Sequence, residues 1–238
     1  MKKGKTLKAV IFDFDGIIVS TKTAEYESWR RVFLAHDCSL NIRKWIKIID
    51  NIKGEYDPAL YLFSECLYRY HRKINRTTAR TLQKNLYESL ASHLKPLPGV
   101  LGTIKKLKND KYKIGIASNG MHQRISDNLK QLKLLDYFDS VVCKEDVKNK
   151  KPSPDVYLKS IETLQVKNDE AIVFEDSPAG ILAAKTANIY CICVPNKITN
   201  HLDLSGADRT IKSLKGFSID DLTKSFGDSQ RVHLVSNV

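Results

Sequence analysis

The alternation of strand-like and helix-like segments from about residue 95 onward constrains this chain more than any other feature. Tyr112–Ala117 reads as a strand, Met121–Leu132 as a helix and Ser140–Cys143 as a short strand. Pro154–Leu164 then reads as a helix, Ala171–Phe174 as a strand, Ala179–Ala187 as a helix and Ile189–Val194 as a strand. A last strand is expected near Ala207–Ile211 and a last helix over Ile219–Phe226. The apolar run Leu7–Phe14 supplies an opening strand that stops at Asp15-Gly16. Short β-branched runs bounded by polar turns and joined through helices predict a parallel sheet covered on both faces, an α/β Rossmann-like doubly wound fold.

Residues 21–93 interrupt this pattern. Tyr26, Trp29, Val32 and Phe33 fall at helical spacing within Thr23–His36, and Pro58–His71 carries a second such stripe. Leu82, Leu86, Leu90 and Leu94 recur every four residues within Thr77–Leu94. We read this segment as an α-helical domain inserted after the first strand, and residues 1–20 with 94–238 as the core domain; Pro96-Leu97-Pro98-Gly99 marks the return.

Strand ends are where such sheets bind ligands. Asp13 and Asp15 close the first strand, Ser118-Asn119-Gly120 the second, and Glu175-Asp176-Ser177-Pro178 a later one, while Lys151 lies in a proline-rich loop before a helix. Each has a plain alternative. Asp-Gly is a common turn, Ser118 suits a helix cap, Asp176 or Ser177 another, and Lys151 a solvated surface. Together they place two acidic pairs, a hydroxyl and a lysine along one sheet edge. Asp13 and Asp176 there make a hard oxygen site suited to Mg2+, with Ser118 and Lys151 placed to hold phosphoryl oxygens.

The remaining composition narrows the class. The formal charge is +12, which fits either a lysine-rich solvated surface or attraction of phosphorylated anions. The basic clusters carry no nucleic-acid motif, so charge alone does not argue for DNA or RNA. The five cysteines show neither zinc nor CxxC spacing, which indicates reduced thiols in a cytoplasmic protein. No signal peptide is evident and no run reaches membrane-spanning length, so no membrane partner is expected. Oligomeric state is not set by the sequence; a monomer is one reading.

DFDGIIVST resembles the first motif of the haloacid dehalogenase superfamily, SNG its second, KKPSPD its third and FEDSPAGILAAKTA its fourth, all in the expected order. The insert is similar to the cap of the β-phosphoglucomutase and phosphoglycolate phosphatase branch. The resemblance implies a magnesium-dependent phosphatase acting on a small phosphorylated metabolite, a sugar phosphate or nucleotide-like monoester, through an aspartyl-phosphate. It implies Asp13 as nucleophile, Asp15 as proton donor and then base, and Lys151 as the third catalytic group. Gly16, Ser118, Asn119 and Lys53 are implied for phosphate or substrate binding, and Asp13, Asp15, Asp176 and Glu175 for the metal, Glu175 through water or from behind. Lys22, Glu25, Tyr56 and Tyr61 are further cap candidates.

The chain departs from the branch at the cap. Ser20-Thr21-Lys22 stands where Asp, Thr or Ser, and Glu are frequent, TAEYES lacks the mutase histidine, and Lys53-Gly54-Glu55-Tyr56-Asp57 lacks the arginine of the mutase KGxSR loop. Losing a cap cation disfavours a phosphosugar mutase and favours water as the acceptor. A mutase and a non-enzymatic nucleic-acid binder are the two alternatives.

Overall fold

A computed structural model describes residues 6–49, 57–218, 221–223 and 226. Lys53, Tyr56 and part of the expected Ile219–Phe226 helix lie outside the described residues. The chain divides into two compact units, Met1–Val19 with Lys95–Val238, and Ser20–Leu94.

The first unit is built on six parallel strands: β1 Ala9–Phe12, β2 Lys113–Ala117, β3 Ser140–Val142, β4 Ala171–Glu175, β5 Tyr190–Cys193 and β6 Arg209–Thr210, ordered β3-β2-β1-β4-β5-β6. Every residue of β1 and β4 is buried, as strands covered on both faces require. Strand periodicity then sorts the side chains. Ala9, Ile11, Val173, Cys191 and Cys193 join one core cluster with Tyr157 and Ile161 of helix α7 (Asp155–Leu164) and Ile181 of α8 (Pro178–Thr186). Phe12 and Phe174, from the alternate register, stack with ring centroids 5.2 Å apart. Helices α5 (Val100–Asn109) and α6 (His122–Gln131) bury Ile104, Leu107, Ile125 and Leu129.

The strand order reverses direction at β1. The chain leaves β1 for β2 and β3 on one side, then returns to β4, β5 and β6 on the other. Loops leaving β1 and β4 therefore part in opposite directions and open a crevice at their carboxyl ends. The register fixes what lines it. Phe12 sits level with Ile116 of β2 and Phe174 of β4, so Asp13, Ala117 and Glu175 follow at one height.

The second unit is helical: α1 (Thr21–Ala35), α2 (Ile42–Ile49), α3 (Pro58–Tyr70) and α4 (Arg76–Ala91). Tyr26, Trp29, Phe33, Trp45 and Leu62 form its core. Asp57 caps α3 by accepting from Ala59 N, and Asn75 caps α4 by accepting from Thr77 and Thr78 N.

Three local expectations need correction. The leucine stripe of α4 is not a core face: Leu82 is 37% exposed, and Ala79 is the buried residue. A four-residue repeat advances about 40° per step around a 3.6-residue helix and so leaves its face within a few turns. Helix α2 was not anticipated, although Trp45 and Ile48 are its buried anchors. Nor was α5, whose short VLGTIKKLKN run carries a glycine in its first turn.

Candidate active site

Asp13 is the first residue past β1, and its amide still bonds Phe174 O of β4 at 2.9 Å. Its side chain is buried and meets Lys151, whose side chain is only 4% exposed. The Lys151 ammonium spends its three protons on Asp13 Oδ1, Glu175 Oε1 and Ala117 O, each at 2.8 Å, with the Tyr157 ring centroid 4.6 Å away. Burial alone would lower the lysine's pKa; the charges of Asp13 and Glu175 and the hydrogen bonds to them outweigh it, so it is raised and the ammonium stays protonated. The reading of Lys151 as a solvated surface residue is thereby excluded.

Glu175 ends β4 and is fully buried. Its Oε1 accepts from Lys151 and from the Tyr157 hydroxyl at 2.9 Å, and its Oε2 accepts from Asp176 N, Ser177 N and Ser177 Oγ at 2.8 to 3.0 Å. The carboxylate also fits against Gly180 so closely that a Cβ there would lie 1.7 Å from Oε1. Burial first, and then the charges of Glu175 and Asp13, push the Tyr157 hydroxyl well above its ordinary pKa, so it acts as a hydrogen-bond donor.

The capping alternatives resolve by geometry. Ser177 is the N-cap of α8, accepting from Gly180 N at 3.2 Å, with Pro178 in the first turn. Asp176 points elsewhere, its Oδ2 accepting from Asn196 Nδ2 at 2.6 Å. Helix α6 has Met121 at its N-cap with no side-chain bond. Ser118 Oγ instead accepts from Gly120 N at 3.0 Å and donates to Asp15 Oδ2 at 3.4 Å.

Asp15 is gripped by Arg124 of α6, whose Nη1 and Nη2 donate to Oδ1 at 2.8 Å and Oδ2 at 2.6 Å. Gly16 has φ 105°, a conformation glycine adopts without strain, and a Cβ there would lie 2.0 Å from Asp176 Oδ2. Asn119 exchanges two bonds with the Lys151 backbone, accepting from its N at 2.9 Å and donating to its O at 3.2 Å. It thus ties the second-motif turn to the lysine loop.

Asp13, Asp15, Gly16, Ser118, Asn119, Lys151, Glu175 and Asp176 therefore gather within one unit at the β1–β4 crevice. Asp13, Glu175 and Asp176, all buried, each offer a carboxylate oxygen, and these atoms lie within 4.8 Å of one another. Such a hard anionic set suits Mg2+. Lys53 lies outside the described residues. Within the helical unit Tyr61, with Lys44, Lys47, Asp57, Glu65 and Arg69, lines a cleft of about 680 Å³.

Arg124 and Tyr157 were not singled out from the sequence, and Asn196 stood out only as part of Pro195-Asn196-Lys197, a run similar to one in some phosphatases of the branch, with no role attached. Arg124 and Asn196 obey the strand-end rule, following β2 and β5, and Tyr157 lies six residues past Lys151 on the same loop-to-helix junction. Among the described residues no helix is long and apolar enough to cross a membrane.

Comparison with known proteins agrees with this geometry. The family model of the haloacid dehalogenase-like hydrolases matches residues 10–194. YhcW of Bacillus subtilis (strain 168), named as a phosphatase, is 35% identical over 87% of this chain and 92% of its own. The "Phosphorylated carbohydrates phosphatase" of Thermotoga maritima is 30% identical over 77% of this chain and 82% of its own. The crystal structure of beta-phosphoglucomutase from Clostridium difficile shares the fold, with TM-score 0.67, 24% identity, and coverage of 94% of this chain and 99% of that one. Four motifs on one sheet edge, a family match across most of the length and relatives of this kind agree: the chain belongs to the haloacid dehalogenase-like hydrolase family, in its beta-phosphoglucomutase branch.

Proposed function

We propose that this phosphatase hydrolyses a small phosphate monoester through a covalent intermediate on Asp13, with Mg2+ as cofactor. The carrying observation is the buried chain Asp13 Oδ1, Lys151 Nζ, Glu175 Oε1, with 2.8 Å at each link and Asp176 beside it. A carboxylate held in one rotamer by a buried ammonium is a preorganised nucleophile. The names of the relatives, one a phosphatase of phosphorylated carbohydrates, support a sugar phosphate as the substrate class.

The chemistry proceeds in two displacements. An Asp13 oxygen bonds to phosphorus as the ester P–O bond breaks, and the departing alkoxide takes a proton from Asp15. Asp15 then takes a proton from water, whose oxygen attacks the same phosphorus. The aspartyl bond breaks, and Asp13 and inorganic phosphate are released. Ser118 and the Asn119 backbone hold the phosphoryl oxygens, Lys151 fixes Asp13 and offsets charge with its three protons already placed, and Gly16 lets the backbone pass close to Asp176.

Asp13 and Asp176, with the Asp15 carbonyl, would hold Mg2+, which when bound neutralises charge on the transferring phosphoryl group. Glu175, whose oxygens already carry five hydrogen bonds, acts by fixing Lys151 and the α8 N-terminus. Five free thiols support a reducing, cytoplasmic setting; Cys38 and Cys66 share a hydrogen bond at 3.3 Å and form no disulfide.

The test is phosphate release from a panel of phosphorylated metabolites with and without Mg2+. Wild type turns over at least one sugar phosphate only with the cation, and Asp13→Asn lacks turnover at unchanged fold. An Asp13→Asn protein that still releases phosphate ends the proposal. Conversion of β-glucose 1-phosphate to glucose 6-phosphate, in place of phosphate release, would make the chain a mutase.

A further inference from the structure

Asn196 follows β5, and its surroundings leave its amide little freedom. Val194 N bonds Glu175 O at 2.7 Å, so the segment after β5 runs beside the acidic pair. Asn196 Oδ1 accepts from Ile198 N at 2.9 Å and Thr199 N at 3.1 Å. Two backbone donors at that atom settle which end of the amide is oxygen. The other end, Nδ2, must then donate, and it meets Asp176 Oδ2 at 2.6 Å. Asn196 N donates to Thr199 Oγ1 at 3.1 Å, and Asn196 O accepts from Asn200 N at 3.0 Å, which closes the turn around it. Gly16 leaves the space: a Cβ at that position would lie 2.0 Å from Asp176 Oδ2 and 3.0 Å from Asn196 Nδ2.

We propose that Asn196 is a positioning residue for Asp176. It fixes the direction in which the Asp176 carboxylate meets the divalent cation. The inference rests on the metal-site reading given above. An amide suits the task because it donates without charge. Lysine or arginine there would place a cation against the metal, and aspartate would set a further carboxylate 2.6 Å from an existing one. Groups that orient a metal ligand in this way carry about 10–100-fold in affinity or activity.

The experiment measures Mn2+ binding by electron paramagnetic resonance on the full chain, alongside thermal melts. Asn196→Ser keeps an oxygen that can accept within the turn but is too short to reach Asp176. Thr199→Ala loosens the same turn without touching Asp176. Asp176→Asn reports whether the site itself is real. The expected result is Mn2+ affinity weakened about tenfold or more in Asn196→Ser. Thr199→Ala should bind within about twofold of wild type although its melting temperature falls. Asn196→Ser binding as wild type does, or Thr199→Ala losing as much as Asn196→Ser, overturns the inference. Asp176→Asn binding like wild type overturns the metal-site reading, and the role of Asn196 with it. If Asn196→Ser does not fold, Asn196→Ala is read against the same Thr199→Ala standard.

Discussion

The guanidinium of Arg124 closes on both carboxylate oxygens of Asp15, and the same guanidinium lies 5.8 Å from the Phe14 ring centroid. A Cβ at Gly120 would lie 2.4 Å from Arg124 Nη2, so the glycine leaves room for the fork. The proton-shuttling residue proposed here is thus held from a different helix, by a donor geometry lysine does not reproduce. Both side chains are less than a third exposed. A double-mutant cycle with Asp15→Asn and Arg124→Met, read by urea denaturation, should give a coupling of about 1–2 kcal/mol. Arg124→Lys should recover only part of it. Additivity within a few tenths of a kcal/mol would show that the pair does not act as a unit.

Lys151 is the ammonium between two buried carboxylates. Removing it strands both charges, and the loss of one partner from a buried ion pair costs about 3–5 kcal/mol. Lys151→Met should show that loss in urea denaturation, together with loss of phosphate release. A stability within about 1 kcal/mol of wild type, the level of an exposed pair, would mean the triad is not held as described.

Gly180 lies in the first turn of α8, where alanine would ordinarily favour the helix by about 1 kcal/mol. The steric term runs the other way, because a Cβ there meets the buried Glu175 carboxylate at 1.7 Å. Overpacking a filled interior costs about 1–3 kcal/mol, so the clash wins. Gly180→Ala should melt lower than wild type and lose activity through displacement of Glu175 and Lys151. A higher melting temperature would contradict this.

All five cysteines are buried. Burial, followed by the hydrogen bond shared with Cys66, pushes the Cys38 thiol up to about 12. Burial, followed by the charges of Asp146 and Glu145, does the same for Cys143. Thiolate, the reactive form, is therefore scarce at pH 8. Ellman's reagent should modify no thiol in the native protein and all five after denaturation. One fast-reacting native thiol would refute the burial argument.

Asp139 links α5 to the sheet, accepting from Lys108 Nζ at 2.7 Å and from Ile114 N at 2.8 Å. Partial burial alone would raise its pKa; the bonds from Lys108 and Ile114 outweigh that and hold it below the ordinary 3.8. A carboxyl depressed by folding stabilises the native state above its unfolded pKa, and that contribution is lost as pH falls through the folded value. Asp139→Asn should therefore melt lower than wild type at pH 7, with the difference shrinking below about pH 4. A difference that grows as pH falls would reverse the assignment.

The sheet was legible because its strands are short, β-branched and stopped by charged or small residues at one end, as at Phe12-Asp13 and Glu175-Asp176. Asp13, Ser118, Lys151 and Asp176 were legible for the same reason, since a parallel sheet brings its carboxyl ends to one side. Arg124 was not, because a helix surface arginine looks the same whether it meets solvent or Asp15. The role of Asn196, though not the residue, was hidden, because asparagine is common in turns for local reasons and here one side chain serves both the turn and Asp176. Helices α2 and α5 were missed because a helix of two or three turns carries too few apolar repeats to stand out.

The central position of β1 has a consequence for synthesis. This strand leaves the ribosome well before its two hydrogen-bonding neighbours, which begin only at Lys113 and Ala171. The nascent AVIF segment waits, unpaired on both edges, while the entire helical unit is translated. Sequence separations this long make the closing step slow and leave apolar backbone open to wrong pairings. Asp13, the nucleophile proposed here, is thus made long before its partners and gains its lysine only when the last central strand docks.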